Sequence, residues 1–391
     1  MTRYREFDAH QELVGDSQTV DPPATLAQLL LHAGVQINGP GPADMQVHDA
    51  RVYADIFARW SLGLGETYMD GLWDCAQLDA FFDKVLGANL DRKVVGSARM
   101  RIAVEAFRHR FLNLQSARRA FQVGEQHYDI GNDVFEAMLD SRMIYSCAYW
   151  AQADTLEAAQ EAKLDLICRK LELAPGMTLL DIGCGWGGLA RFAAEHYGVN
   201  VVGITVSREQ QALARERCKD LPVQIELQDY RDLQGTFDRI ASVGMFEHVG
   251  PKNYATYFDS VCRLLKPDGI FLLHTIGIET TSPHTDPWID RYIFPNGKLP
   301  SASELSQALE GRLIIDDWHN FGQDYDRTLM AWWARFEAAW PRLRERYDER
   351  FYRMWKYYLH SCAGFFRCRQ GQLWQLVLTP RERRSVYRSV R

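Results

Sequence analysis

The stretch LLDIGCGWGGLARF, Leu179 to Phe192, places four glycines in the six residues from Gly183 to Gly188, after an apolar strand-like run and before a helix-like one. Glycine supplies backbone angles and close approaches that a Cβ would forbid, so a strand, a glycine-rich turn and a helix in that order read as a ligand-cradling unit of an α/β layer. The downstream pattern agrees. TLEAAQEAKLDLICRKLEL reads as a helix with Thr155 as N-cap and Pro175-Gly176 as its stop. MTLLDI, VNVVGITV, PVQIELQDY, FDRIASVGMFEH and IFLLHTIG read as five strands, separated by helices that include SREQQALARERC with Ser207 as N-cap. This alternation predicts an α/β fold with a Rossmann-like, doubly wound parallel sheet, and ligands beyond the strand C-termini.

At 391 residues there is room for a second domain. TLAQLLLHAGV, VYADIFARWSLGLGETYMDGLW and LDAFFDKVLGANL read as amphipathic helices broken by loops such as NGPGPAD. The expected organisation is a smaller helical N-terminal domain over 1–105, with lipid, membrane or dimer contacts. A basic linker helix over 106–125 and a catalytic domain over 126–391 follow. The net charge of −6 argues against nucleic acid as a partner. Charge is unevenly spread: eight basic residues fall between Arg92 and Arg119 against Glu105 alone, and RERRSVYRSVR carries five arginines. Such clusters suit either a solvated helical face or anionic lipid headgroups. No apolar run is long enough to span a bilayer and MTRYREFDAH has no signal-peptide core, which predicts a cytoplasmic protein. The eight cysteines show no CxxC pairing and HExxH is absent, so neither a disulfide framework nor a metal is expected.

The order of acid and glycines bears on the ligand. A dinucleotide site wants an acid at the end of the second strand; here Asp181 precedes Gly183, Gly185 and Gly187, and the second strand ends Ile204-Thr205-Val206-Ser207. Asp-x-Gly-x-Gly-x-Gly resembles the loop of S-adenosylmethionine (SAM) methyltransferases. By that resemblance Asp181 holds the loop, and Asp229, beside Gln228 and Tyr230, is placed for the adenine amine. A nicotinamide-dependent dehydrogenase is the weaker reading.

Together QHYDIGNDVFEAMLD, YSCAYW, ITVSREQ, QDYRD, SVGMFEHVG and RYIFPNG, with SLGLGETYMDG upstream, closely resemble bacterial cyclopropane-fatty-acyl-phospholipid synthases over most of the chain. The resemblance implies transfer of the SAM methyl carbon to a cis double bond of an unsaturated phospholipid acyl chain. A carbocation forms, and its deprotonation by bound bicarbonate closes the ring. It assigns Tyr145, Ser146, Thr205 and Gln210 to the cofactor, the last two in place of the missing acid. It assigns Cys147, Glu247, His274, the backbone of Ile276 and Tyr325 to the bicarbonate, and adds Cys362, whose thiol has no step to perform and reads as structural near the lipid. A homodimer, peripherally attached to the anionic inner face of the cytoplasmic membrane, is the implied setting. AWWARFEAAW, FYRMWKYYLH and GFF offer aromatic faces to a cation, although most read as core. Two alternatives remain: a lipid C-methyltransferase that leaves a methyl or methylene branch, and a lipid-binding module without chemistry.

Overall fold

A computed structural model of the chain describes residues 22–90 and 131–391. The basic stretch from Arg92 to Arg119, the linker helix expected over 106–125 and the start of QHYDIGN lie outside the described residues.

The N-terminal part comprises α1 (Ala24–His32), β1 (Gln46–Val47), α2 (Arg51–Arg59), α3 (Ser61–Met69), β2 (Trp73–Asp74) and α4 (Leu78–Gly87). The NGPGPAD loop is closed by the Asp44 carboxylate, which accepts from the Gln36 and Gly41 amides at 2.8 Å each. These helices bury their apolar stripes against the rest of the chain. Leu26, Leu30, Trp73 and Phe81 share one apolar cluster with Phe135, Trp332, Trp355 and Phe366. Gly65 lets α3 press onto Trp288, whose ring a Cβ would meet at 2.3 Å. Arg353 donates to the Trp73 carbonyl and to Asp74, both at 2.8 Å, and Arg367 bridges Asp79 and Asp326.

Beyond it run α5 (Asn132–Met138), α6 (Leu156–Lys170), β3 (Thr178–Ile182), α7 (Gly188–Tyr197), β4 (Asn200–Thr205), α8 (Arg208–Arg217), β5 (Val223–Leu227), β6 (Phe237–Val243), α9 (Tyr254–Leu264) and β7 (Leu265–Ile278). Then come α10 (Pro287–Tyr292), α11 (Ala302–Leu309), β8 (Ile314–Asn320), the long hairpin α12 (Gln323–Leu343) and α13 (Glu349–Arg367), and β9 (Gly371–Thr379). Thr155 caps α6 by accepting from Ala158 N–H, and Ser207 caps α8 by accepting from Gln210 N–H, as their sequences predict.

The sheet has seven strands in the order β5-β4-β3-β6-β7-β9-β8. The five expected strands are parallel and the order reverses between β3 and β6, which opens a crevice at the C-terminal end of β3. The sheet as a whole is mixed: β9 runs antiparallel to both β7 and β8. LWQLVLT in β9 is buried on both faces, so it lacks the alternation that marks a strand in sequence. LLKPDG lies partly inside β7, whose pairing with β6 slips between Phe237 and Arg239.

The C-terminal arginines do not all face outward. Arg383 is almost wholly buried and pairs with Glu172, and Arg391 pairs with the buried Asp317, so the tail is tied to the body and forms no helix. Among the described residues no helix is long and apolar enough to cross a membrane.

Candidate active site

The glycine loop has a physical cause at each step. β3 delivers Asp181 to the crevice, then Gly183 and Gly185 take φ of 82° and 53°, left-handed angles that side chains rarely adopt. A Cβ on Gly183 would meet Met245 at 2.8 Å, whereas one on Gly185 would meet nothing within 4 Å because it would enter the cavity beside the loop. That cavity measures about 1180 Å³. Ordinary small-molecule pockets hold roughly 300–1,000 Å³, so this cavity lies just above that range.

One end is polar and framed by strand termini. Asp181, Gly183 and Gly185 line it from β3, Thr205 and Gln210 from β4 and α8, and Gln228, Asp229 and Tyr230 from the turn after β5. Thr205 Oγ1 donates to Gln210 Oε1 at 2.8 Å and accepts from Ser207 N–H, which holds the pair that stands where dinucleotide folds place an acid. Asp229 is fixed by Arg231, whose Nε and Nη2 donate to its two oxygens at 2.7 Å each, while the Arg231 guanidinium lies over the Tyr230 ring. Tyr145 and Ser146 close this end from the segment before α6. Gly187 is the one expected cofactor residue away from the wall; its φ of 81° serves the entry to α7.

The other end is apolar and reaches the N-terminal helices, with Leu26, Leu30, Leu64, Phe81 and Phe82 on its walls. The sequence contained no marker of this continuity, because it joins segments far apart along the chain.

Glu247 lines the same cavity from the short turn Phe246–His248 after β6. Its Oε1 accepts from Ile276 N–H at 2.7 Å, while its buried Oε2 has no hydrogen-bond partner. Burial raises its pKa to about 7, against the opposing pull of the Ile276 amide. Tyr325, in the first turn of α12, also lines the cavity and stacks on Phe366 at 4.5 Å. Burial holds its hydroxyl protonated, with Cys147, Tyr145, Glu247 and Cys362 as its titratable neighbours. Tyr145 and Tyr358 share a hydroxyl–hydroxyl bond of 2.8 Å. Cys362 lines the cavity, but burial pushes its thiol up to about 12, which leaves no thiolate near neutral pH.

Two expected residues are set back from the wall. The Cys147 thiol is wholly buried, donates to the Ala148 carbonyl and titrates well above its ordinary value. His274 lies inside β7 with its ring nitrogen Nδ1 3.2 Å from Gln375 Nε2 and its edge against Phe321. Burial holds it neutral, and its Nε2 is left without a partner. Of the aromatic residues in AWWARFEAAW, Trp332, Trp333 and Phe336 pack in the core. The cavity residues unremarked in the sequence include two titratable groups, His248 and Lys163. His248 lines the cavity beside Glu247, and burial lowers its pKa to about 4. Lys163 lies on the buried face of α6, where the helical spacing of Leu156, Ala159, Lys163 and Ile167 could have marked it.

An acid–glycine loop at the reversal of a Rossmann-like sheet, opening on a deep cavity, defines the fold of SAM-dependent methyltransferases. Residues 115–376 match the family model for mycolic acid cyclopropane synthetase. The cyclopropane-fatty-acyl-phospholipid synthase of Escherichia coli is 57% identical over 352 residues, covering 90% of this chain and 92% of that protein. The structure of the cyclopropane synthase MmaA2 from Mycobacterium tuberculosis superposes with a TM-score of 0.63 at 34% identity, over 66% of this chain and 97% of that one. That of the mycolic acid cyclopropane synthase CmaA1, complexed with SAH and CTAB, gives 0.62 at 34% identity, with the same coverage. The chain belongs to the cyclopropane synthase family and is an S-adenosylmethionine-dependent enzyme of the methyltransferase class.

Proposed function

We propose that the enzyme places the methyl carbon of SAM across the cis double bond of an unsaturated phospholipid acyl chain and closes a cyclopropane ring. The observation that carries this reading is one continuous cavity, polar at the glycine loop and apolar at the N-terminal helices, with Glu247 in its wall. The 57% identity to the Escherichia coli synthase supports the same substrate class.

Asp181, Gly183 and Gly185 would hold the cofactor at the loop, with Tyr145 and Ser146 over it. Thr205 and Gln210 would meet its ribose, and Gln228, Asp229 and Tyr230 its adenine. SAM, when bound, supplies an electrophilic methyl carbon. The apolar arm excludes water from the acyl chain, and Tyr145, Tyr325 and Phe366 place aromatic rings in the cavity wall. Aromatic faces stabilise a nearby cation by about 0.5–2 kcal/mol each without trapping it.

Ring closure also requires a proton acceptor beside carbon. Glu247, with a free Oε2 and a pKa of about 7, is partly ionised at neutral pH, and its carboxylate can accept the hydroxyl proton of bicarbonate. The Tyr325 hydroxyl is a donor at the cavity wall. These two groups fit bicarbonate; Ile276 N–H is engaged by Glu247, and Cys147 and His274 would act from behind the wall. Bicarbonate, when bound, supplies the proton acceptor.

The proposed setting is a homodimer peripherally attached to an anionic membrane surface at the cytoplasmic face. Exposed Leu31, Phe57 and Trp60 on and beside α1 and α2 support attachment near the apolar arm, which Trp60 itself lines. Incubation with SAM and vesicles of unsaturated phospholipid, followed by mass and NMR analysis, tests the reaction. Gain of CH2 with ring-proton signals is expected; a methyl or methylene branch would replace cyclopropanation by C-methylation.

A further inference from the structure

Lys163 is a lysine with no solvent exposure worth the name, 1%, in the wall of an enzyme cavity. A buried ammonium is costly unless opposite charge and hydrogen bonds meet it. Its Nζ donates to Ser146 Oγ at 2.8 Å. One turn earlier on α6, Gln160 donates to the Ser146 carbonyl at 2.9 Å, so the helix grips the Tyr145–Ser146 segment at two points. The opposite charge comes from Asp140, which also accepts from the Arg142 and Ile144 amides, and from Asp181 at the glycine loop. Asp181 is itself 2% exposed, and its Oδ2 is buried with no partner.

We infer that Lys163 is a positioning residue for the cofactor: it clamps Ser146 and, as a buried cation, favours the ionised form of the Asp181 carboxylate beside the glycine loop. This rests on the reading that the polar end of the cavity takes SAM, whose ammonium group a charged, unpartnered carboxylate would attract. The remaining groups around the pair stay neutral near pH 7. Burial raises the thiols of Cys168 (α6), Cys184 (glycine loop) and Cys218 (after α8), which face Asp181, and that of Cys147, which faces Lys163. His274 of β7, also near Lys163, is held neutral. The two central groups therefore titrate as a pair in the working range, Asp181 at about 7 and Lys163 at about 8, both displaced by burial.

The sign follows from which forms bind. Affinity rises with pH as Asp181 ionises through about 7, then falls as Lys163 loses its proton above about 8. Lys163→Gln keeps a donor for Ser146 and removes the charge. Each unit by which that raises the Asp181 titration lowers affinity about tenfold at pH values below both. Calorimetric titration of S-adenosylhomocysteine from pH 5.5 to 8.5, with native protein and variant side by side, reads this directly, because the ligand's own titration is common to both. The expected result is a native maximum between the two values, and in the variant no falling limb and a rising limb moved upward. Ser146→Ala, which keeps both charges, should lower affinity without moving the maximum. Native protein that fails to bind at any pH would remove the cofactor reading itself. Native binding with an unchanged profile in Lys163→Gln would overturn the inference alone, and a flat native profile would overturn it even if that variant did not fold.

Discussion

Glu247→Gln separates chemistry from binding more cleanly than any other change in the cavity. The amide oxygen of glutamine can still accept from Ile276 N–H, the 2.7 Å bond that fixes the side chain, so the turn after β6 should stay in place. What disappears is the oxygen at Oε2 that can take or give a proton. A hydrogen bond to a charged partner contributes about 1.5–3 kcal/mol. At 1.36 kcal/mol per tenfold, its loss slows turnover about 10- to 150-fold. The pH dependence sharpens the test. Burial lifts Glu247 to about 7, so an activity that needs its carboxylate rises with pH through about 7 in the native enzyme, and that limb is missing in the variant. Turnover would be read as lipid product by mass, and cofactor affinity by calorimetry. Native turnover in Glu247→Gln, or loss of cofactor binding together with turnover, would refute the assignment.

Three further outcomes follow. Gly185→Val should fold yet lose cofactor affinity, since a left-handed β-branched residue costs about 1–2 kcal/mol and its side chain would enter the cavity; calorimetry with unchanged affinity would contradict the loop's role. Gly65→Val should lower the thermal midpoint, because overpacking against Trp288 costs about 1–3 kcal/mol, and an unchanged melt would mean that α3 is not pressed onto α10. Binding to anionic vesicles should weaken with added salt and on changing Arg108, Arg110, Arg118 and Arg119 to Gln, measured by sedimentation; salt-independent binding would exclude an electrostatic contribution.

The parallel half of the sheet was legible because its strands and helices announce themselves locally: Thr155 and Ser207 cap helices, and the glycine loop marks the first crossover; α6 ends at Lys170, ahead of the expected stop at Pro175-Gly176. The antiparallel half was not, since the pairing of β9 with β7 joins Gln375 to His274 across a hundred residues and a helical hairpin. The same distinction divides the site. Asp181, Thr205 and Asp229 stand at strand ends that sequence periodicity locates. Lys163 is a charged residue whose partners, Ser146 and Asp181, lie on other segments. His274 follows the strand pattern correctly, yet only the fold shows that Gln375 and Phe321 hold it behind the cavity wall.

Bicarbonate can be separated from Glu247 by omission. In buffer stripped of carbonate, turnover should fall and recover on adding bicarbonate; undiminished turnover would make Glu247 the base itself.

The fate of the methyl hydrogens tests the central claim most directly. SAM labelled with three deuterium atoms on its methyl group would be turned over with vesicles of unsaturated phospholipid and the lipid examined by mass spectrometry and NMR. Ring closure with loss of one hydrogen from the transferred carbon predicts a lipid that retains two deuterium atoms in a cyclopropane ring. Retention of all three, or two deuterium atoms on an exocyclic methylene carbon, would contradict it.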